Sequence, residues 1–178
     1  MGLNMVKASK NYGMFQLLSP LQKDIRKGKE YNALFWAIQL EKLNATAPIA
    51  LWNRLGIIAS EDIGLAHPYL PLLIETLRNS YFEAVRRKSD SYRLFLGHAI
   101  VLLARSKKSR LVHDLTFQLY SEVLNRNKRL KIPDYAKDMH TPGGKKRGMA
   151  HFQKKGLKLV NETTAFPTCT RAELRSMK

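Results

Sequence analysis

Residues 55–68 read LGIIASEDIGLAHP. Leu55, Ile57, Ile58 and Ala59 lead into two adjacent carboxylates, Glu61 and Asp62, in a chain that is otherwise strongly basic. In a regular α-helix, neighbours i and i+1 point about 100° apart, so the pair is expected not to converge on one ligand. The apolar neighbours Ile57, Ile58 and Ile63 place one carboxylate partly out of water, where it needs a donor. The expectation is an ion pair or a cap for a neighbouring helix, not an acidic active site.

Outward from this stretch the pattern is helical. Ser19-Pro20 reads as a helix start, with Ser as N-cap and Pro in the first turn, and Gly28 interrupts it. In the next helix Leu34, Ala37, Ile38 and Glu41 keep helical spacing. Phe35 and Trp36 widen its apolar arc, so burial over much of the circumference is expected. A third helix starts at Ala47-Pro48 and carries Ile49, Trp52, Leu55, Ile58 and Ala59, with Gly64 and Pro68 ending it. Pro68 and Pro71 open a fourth, Ser89 or Asp90 caps a fifth, and Ser109 caps a sixth with Leu111, Leu115, Leu119 and Val123. No sustained alternation and no Asn-Gly turn argues for strands.

The predicted class is all-α, an antiparallel helical bundle or collar. From about Lys128, Pro133, Pro142, Gly143, Gly144, Gly148 and Gly156 break the period among dense Lys and Arg. This predicts a basic, loop-rich C-terminal segment with one short helix near residues 148–155. The predicted organisation is an N-terminal extension over 1–18, a helical domain over 19–160 and a weakly ordered tail over 161–178.

The chain has 178 residues and a formal net charge of +17, from 31 basic and 14 acidic residues. Residues 126–178 hold 14 Lys/Arg against 4 Asp/Glu, so most of the excess lies in the last third. Charge of this size points to nucleic acid first, and to an acidic partner second. Cys169 is the single cysteine, which excludes a disulfide within the chain. No apolar run approaches the ~20 residues of a membrane span, so the expected location is cytoplasmic, with no membrane partner.

Motifs for chemistry are weak. Asp134, Asp138, His140 and His151 supply metal-capable groups, but at a spacing with no familiar ligand geometry. TPGGKKRG at 141–148 is glycine-rich and cationic, yet Met139 stands where a Walker A loop needs its first Gly, and Lys146 where it needs Ser/Thr. Neither a nucleophile elbow nor a His-Glu-x-x-His motif occurs. The expectation is a non-enzyme with no cofactor and no metal. The candidate nucleic-acid contacts are Arg105, Lys107, Lys108 and Arg110; Arg126, Lys128, Arg129 and Lys131; and Lys145, Lys146, Arg147, Lys154 and Lys155.

Residues 33–43, ALFWAIQLEKL, followed by LWNRLGIIASEDIGLAHP at 51–68, resemble the C-terminal helical region of the RarA/MgsA family. That family comprises replication-associated, clamp-loader-like AAA+ ATPases acting at stalled forks. Its marker block is complete here in Ala59, Ser60, Glu61, Asp62, Ile63, Gly64, Leu65, Ala66 and Pro68. LLARSKKS at 102–109 matches at Lys108 and Ser109, and residues 132–152 match more loosely. The resemblance spans about residues 27–156 and has no counterpart to the family's ATPase and lid domains. It implies a collar-like domain that mediates oligomerisation.

Together these readings give a DNA-associated oligomerisation or docking module of replication or repair machinery, which self-associates or docks on a AAA+ partner. Trp36, Trp52, Glu61 and Asp62 are its candidate structural or interface residues. The alternatives are an assembly module without nucleic acid, or a small metal-dependent nuclease on the Asp/Asp/His/His set.

Overall fold

Leu17, Leu18, Leu21 and Ile25 line one side of the first helix, α1 (Met14–Arg26), and all four are buried. The helix begins earlier than Ser19-Pro20 suggests. Gln16 sets the start, its Oε1 accepting the Gly13 N–H at 2.8 Å while its own N–H donates back to the Gly13 carbonyl at 3.0 Å. Pro20 therefore lies inside α1, where it gives up one helical hydrogen bond.

The computed structural model describes residues 12–138 and 140–161 and is all-α, with no strand among them. The expected tail, apart from Asn161, and the first eleven residues lie outside the described residues. No described helix is long and apolar enough to cross a membrane. The chain divides into two compact units, Met1–Asn127 and Lys128–Lys178.

In the first unit α1 turns back through Gly28, at φ +71°, into α2 (Glu30–Glu41). The buried face of α2 is Ala33, Ala37, Leu40 and Glu41, not the aromatic arc expected of it. Phe35 and Ile38 are exposed, and Trp36 is half-buried. Small alanines let α2 approach its neighbours closely, which leaves bulky residues at the rim. Trp36 bridges that rim, its indole N–H donating to Asp24 Oδ2 at 2.9 Å.

The third helix, α3 (Ala47–Ile58), starts where Pro48 predicts. Asn44 Oδ1 accepts the backbone N–H groups of Thr46 (3.0 Å) and Ala47 (2.9 Å), satisfying donors that the helix leaves open. Leu51, Trp52, Leu55 and Ile58 enter the core. The chain then widens into a π-helical turn, Ala59–Ile63, and tightens into a 3₁₀ turn, Gly64–Ala66. Next come α4 (Leu70–Arg86), with Pro71 in its first turn, and α5 (Tyr92–Arg105), which packs on α1, α2, α3 and α4. One apolar core joins α1 through α5.

The sixth helix, α6 (Leu111–Tyr120), extends into a π-helical turn, Ser121–Asn125, and buries none of its side chains. In the second unit, short 3₁₀ turns at Asp134–Ala136 and Lys145–Arg147 precede α7 (Gly148–His151) and a π-helical turn, Phe152–Gly156. This is the short helix expected near 148–155.

Glu41 is one of two buried charged residues, with Asp62, among those described. The Tyr81 hydroxyl donates to Glu41 Oε1 at 2.8 Å, and both residues are buried. Burial, then the hydrogen bond to Glu41, push the phenol's pKa well above the ordinary tyrosine value. Below about pH 10 both folded and unfolded states keep this proton. Above it the unfolded state releases the proton while the folded state holds it, so stability falls as pH rises. Urea unfolding is expected to show this alkaline loss in the native protein and a flatter alkaline limb in Tyr81→Phe. At neutral pH that variant is destabilised by about 1–3 kcal/mol through the lost hydrogen bond to Glu41 Oε1, while Glu41 Oε2 keeps Lys42 Nζ at 3.3 Å. An unchanged alkaline limb would refute the assignment.

Candidate functional site

The carboxylates of Glu61 and Asp62 do converge, against the expectation from regular helical geometry. The π-helical turn closes i→i+5 hydrogen bonds instead of i→i+4, and in this wider turn the adjacent pair shares donors. Gln22 Nε2 donates to Glu61 Oε2 at 3.1 Å and to Asp62 Oδ2 at 3.0 Å. Arg110 Nη1 likewise reaches Glu61 Oε1 at 3.2 Å and Asp62 Oδ1 at 3.1 Å. Arg26 completes the set through Nε to Asp62 Oδ1 (2.9 Å) and Nη2 to Asp62 Oδ2 (3.2 Å).

Asp62 is 1% exposed, so its charge depends on these donors. Two guanidinium groups face the two carboxylates, and His113 and Asp114 border the cluster, with Asp114 Oδ1 2.9 Å from His113 Nδ1 and 3.7 Å from Arg110 Nε. The His113 ring lies 3.9 Å from Glu61, stacks on Phe117 and meets Arg110 at 2.9 Å. The ion-pair reading of Glu61 and Asp62 holds, with partners some 40 residues upstream and downstream in sequence.

The backbone completes the junction. The Ser109 N–H donates to the Asp62 carbonyl at 2.9 Å, and Lys108 Nζ donates to the carbonyls of Leu103, Ala104 and Ser106 at the end of α5. Burial lowers the Lys108 pKa below the ordinary lysine value. Gly64 sits at φ +47°, and a β-carbon there would lie 3.2 Å from the Ser109 carbonyl. Thus the 59–66 turn and the 106–110 turn, both prominent in the sequence, dock on one another.

Beside the junction lies a groove of about 740 Å³ between α3, α4 and α6, lined by Trp52, Ile57, Glu61, Ile74, Arg78 and Phe117 among others. Trp52 belongs to the core, and its indole N–H makes no hydrogen bond among the described residues.

The candidate nucleic-acid contacts fall into two groups. Arg105 is held by Glu30 at 2.5 and 2.8 Å, Lys108 caps α5, and Arg110 belongs to the acidic cluster. Arg147 and Lys155 pair with Asp134, the latter at 3.4 Å. Lys107, Arg126, Lys128, Arg129, Lys131, Lys145, Lys146 and Lys154 are exposed. Arg126 and the earlier residues lie in the first unit, and Lys128 onward in the second.

The metal-capable residues divide as well. Asp134 lies 3.6 Å from His151 Nε2 but is shared with the two cations, while Asp138 Oδ1 accepts the His140 N–H at 2.9 Å in a local turn. No group of three or more His, Cys, Asp or Glu residues with metal-binding geometry forms among the described residues.

Gln22, Arg26, Arg54 and His113 were not evident from sequence. Gln22 and Arg26 do share an i, i+4 face of α1, which is the one local hint of a common partner.

The described residues form an all-α domain in which an acidic π-helical turn is locked to basic side chains of α1 and of the start of α6. The family model for the C-terminal region of the MgsA AAA+ ATPase matches residues 29–162, and the chain belongs to that family. The match is to the C-terminal domain and not to the ATPase domain. A comparison with curated proteins finds no match.

Asp62→Ala is expected to lower stability substantially, near the lower end of the ~3–5 kcal/mol seen when a buried pair is broken, because both arginines keep access to water. Glu61→Gln is expected to cost at most about 1 kcal/mol. Gly64→Ala adds backbone strain of order 1–3 kcal/mol. Urea midpoints check this ordering; equal losses for Asp62→Ala and Glu61→Gln would contradict it.

Proposed function

We propose that the chain is a non-enzymatic assembly module of replication or repair machinery, which self-associates or docks on a AAA+ partner and contacts DNA. The observation that carries the assembly part is α6. Leu111, Leu115, Phe117, Leu119, Tyr120 and Leu124 along this helix and its extension are all exposed, with Phe117 at 66% and Leu124 at 71%. Leu111, Leu115 and Leu119 follow at i, i+4 and i+8, and an exposed apolar row of this kind fits an interaction site. The groove beside α6 adds further apolar surface to the same side of the first unit.

DNA contact is supported by the +17 charge and by the exposed Lys107, Arg129, Lys131, Lys145, Lys146 and Lys154. Such contacts release counterions, so binding should weaken steeply with salt.

Light scattering is expected to show concentration-dependent association of the native chain. Leu115→Glu with Leu119→Glu should reduce it while leaving the unfolding midpoint nearly unchanged, because neither side chain is in the core. A strict monomer at high concentration argues against self-association and leaves docking on an ATPase. Lys145, Lys146 and Arg147 changed together to Glu should weaken DNA binding and flatten its salt dependence. No DNA binding by the native chain at low salt leaves an assembly module without nucleic acid.

A further inference from the structure

The exposed cations discussed so far lie in turns and loops. A different set lines a concavity of about 290 Å³ between α1 and α3. Phe15, Ser19 and Lys23 follow one another at i, i+4 and i+8 along α1, with Gln22 and Arg26 beside them and Arg54 from α3 opposite. Three cations in one small concavity repel each other unless something offsets their charge.

Of these three cations, Arg26 has a counter-ion among the described residues, through Asp62 and Glu61. Lys23 Nζ donates to Ser19 Oγ at 2.7 Å, and Arg54 Nη1 to Gln22 Oε1 at 3.4 Å. Neither Lys23 nor Arg54 forms an ion pair among the described residues.

Gln22 gives the arrangement its direction. Its amide N–H₂ donates into the Glu61-Asp62 pair, which turns its carbonyl toward Arg54. The acidic cluster therefore holds Arg54 by a neutral acceptor and leaves most of its five donors uncommitted. Fork-shaped guanidinium donors and a lysine point charge together suit a phosphate. Phe15, on the same wall, is 78% exposed. The volume is at the lower limit of ligand pockets, enough for one sugar-phosphate unit and not for a bulky ligand.

We propose that this pocket binds single-stranded DNA, with Lys23 and Arg54 on one backbone phosphate and the adjacent base stacked on Phe15. The proposal rests on the DNA-associated reading above and specifies where contact occurs. A single strand fits better than a duplex, because a stacking platform requires a base face that pairing and stacking within a helix conceal.

Fluorescence anisotropy of the full chain with labelled oligo(dT), and with an abasic oligomer of equal length, tests both parts across a salt series. Lys23→Gln and Arg54→Gln should each weaken both oligomers, and the double variant should flatten the slope of log K against log salt by about 0.7, one single-strand phosphate contact. Phe15→Ala should weaken oligo(dT) roughly tenfold and leave the abasic oligomer unchanged. Circular dichroism of each variant should match the native chain, since all three side chains lie outside the core.

If the native chain binds and the pocket variants retain native affinity and slope, the pocket is refuted and the DNA-associated reading stands. If inorganic phosphate or thymidine monophosphate at low concentration displaces the oligomer fully, the site is a free-phosphate or nucleotide site and the single-strand assignment is overturned. If the native chain binds neither oligomer at low salt, the pocket and the DNA-associated reading fail together.

Discussion

The buried carboxylate of Asp62 is the constraint around which the first unit is arranged. A charge at 1% exposure is unfavourable unless hydrogen-bonded and paired, and here the donors come from α1 and from the start of α6. The π-helical turn is what makes the arrangement possible. A regular continuation of α3 would splay Glu61 away from Asp62 and leave Gln22 and Arg110 able to reach one of them only. The wider turn allows each donor to bridge both. Three segments far apart in sequence, α1, the end of α3 and the start of α6, are thereby fixed at one point.

This arrangement also sorts the positive charge. Arg26 and Arg110 are tied to the acidic pair, Arg105 to Glu30, Lys108 to the carbonyls ending α5, and Arg147 to Asp134. Local density of Lys and Arg in the sequence is therefore a poor guide to where free charge lies. ARSKKSR at 104 to 110 contributes Lys107 as its exposed cation with no ion pair among the described residues. By contrast, Lys23 and Arg54, 31 residues apart in sequence, share one concavity whose lining includes no carboxylate among the described residues.

The helical class was legible because period-3.6 burial and proline-marked starts are local signals. Pro48 and Pro71 sit in first turns, as expected of them. Pro20 misled because its position was outweighed by Leu17, Leu18, Leu21 and Ile25, whose burial holds one continuous helix through it. The acidic pair was legible as structural, since an apolar setting demands a partner. Its geometry was not, because the assumed 100° between neighbours fails in a π-helical turn. The partners were hidden for a different reason: Gln22 and Arg110 lie 40 and 48 residues from Asp62, and no local pattern links such positions. The apolar period of α6 was read correctly as a helix, but period alone cannot say whether the covered face meets the chain's own core or another surface.

That last ambiguity has a physical resolution in how α6 is held. A ten-residue helix is marginal by itself in water, and this one buries nothing that would stabilise it by packing. What anchors it is polar and lies at its N-terminus: Ser109 on the Asp62 carbonyl, and Arg110 on both carboxylates, with His113 one turn on. Removing several leucine-sized side chains from water is worth roughly 1.5–3 kcal/mol each. An anchored helix presenting such a row leaves that stabilisation unused among the described residues, which is why α6 carries the assembly proposal. The ion-pair cluster and the proposed assembly surface are thus linked through one helix. In this chain the acidic pair matters less for its charge than for the helix it holds in place.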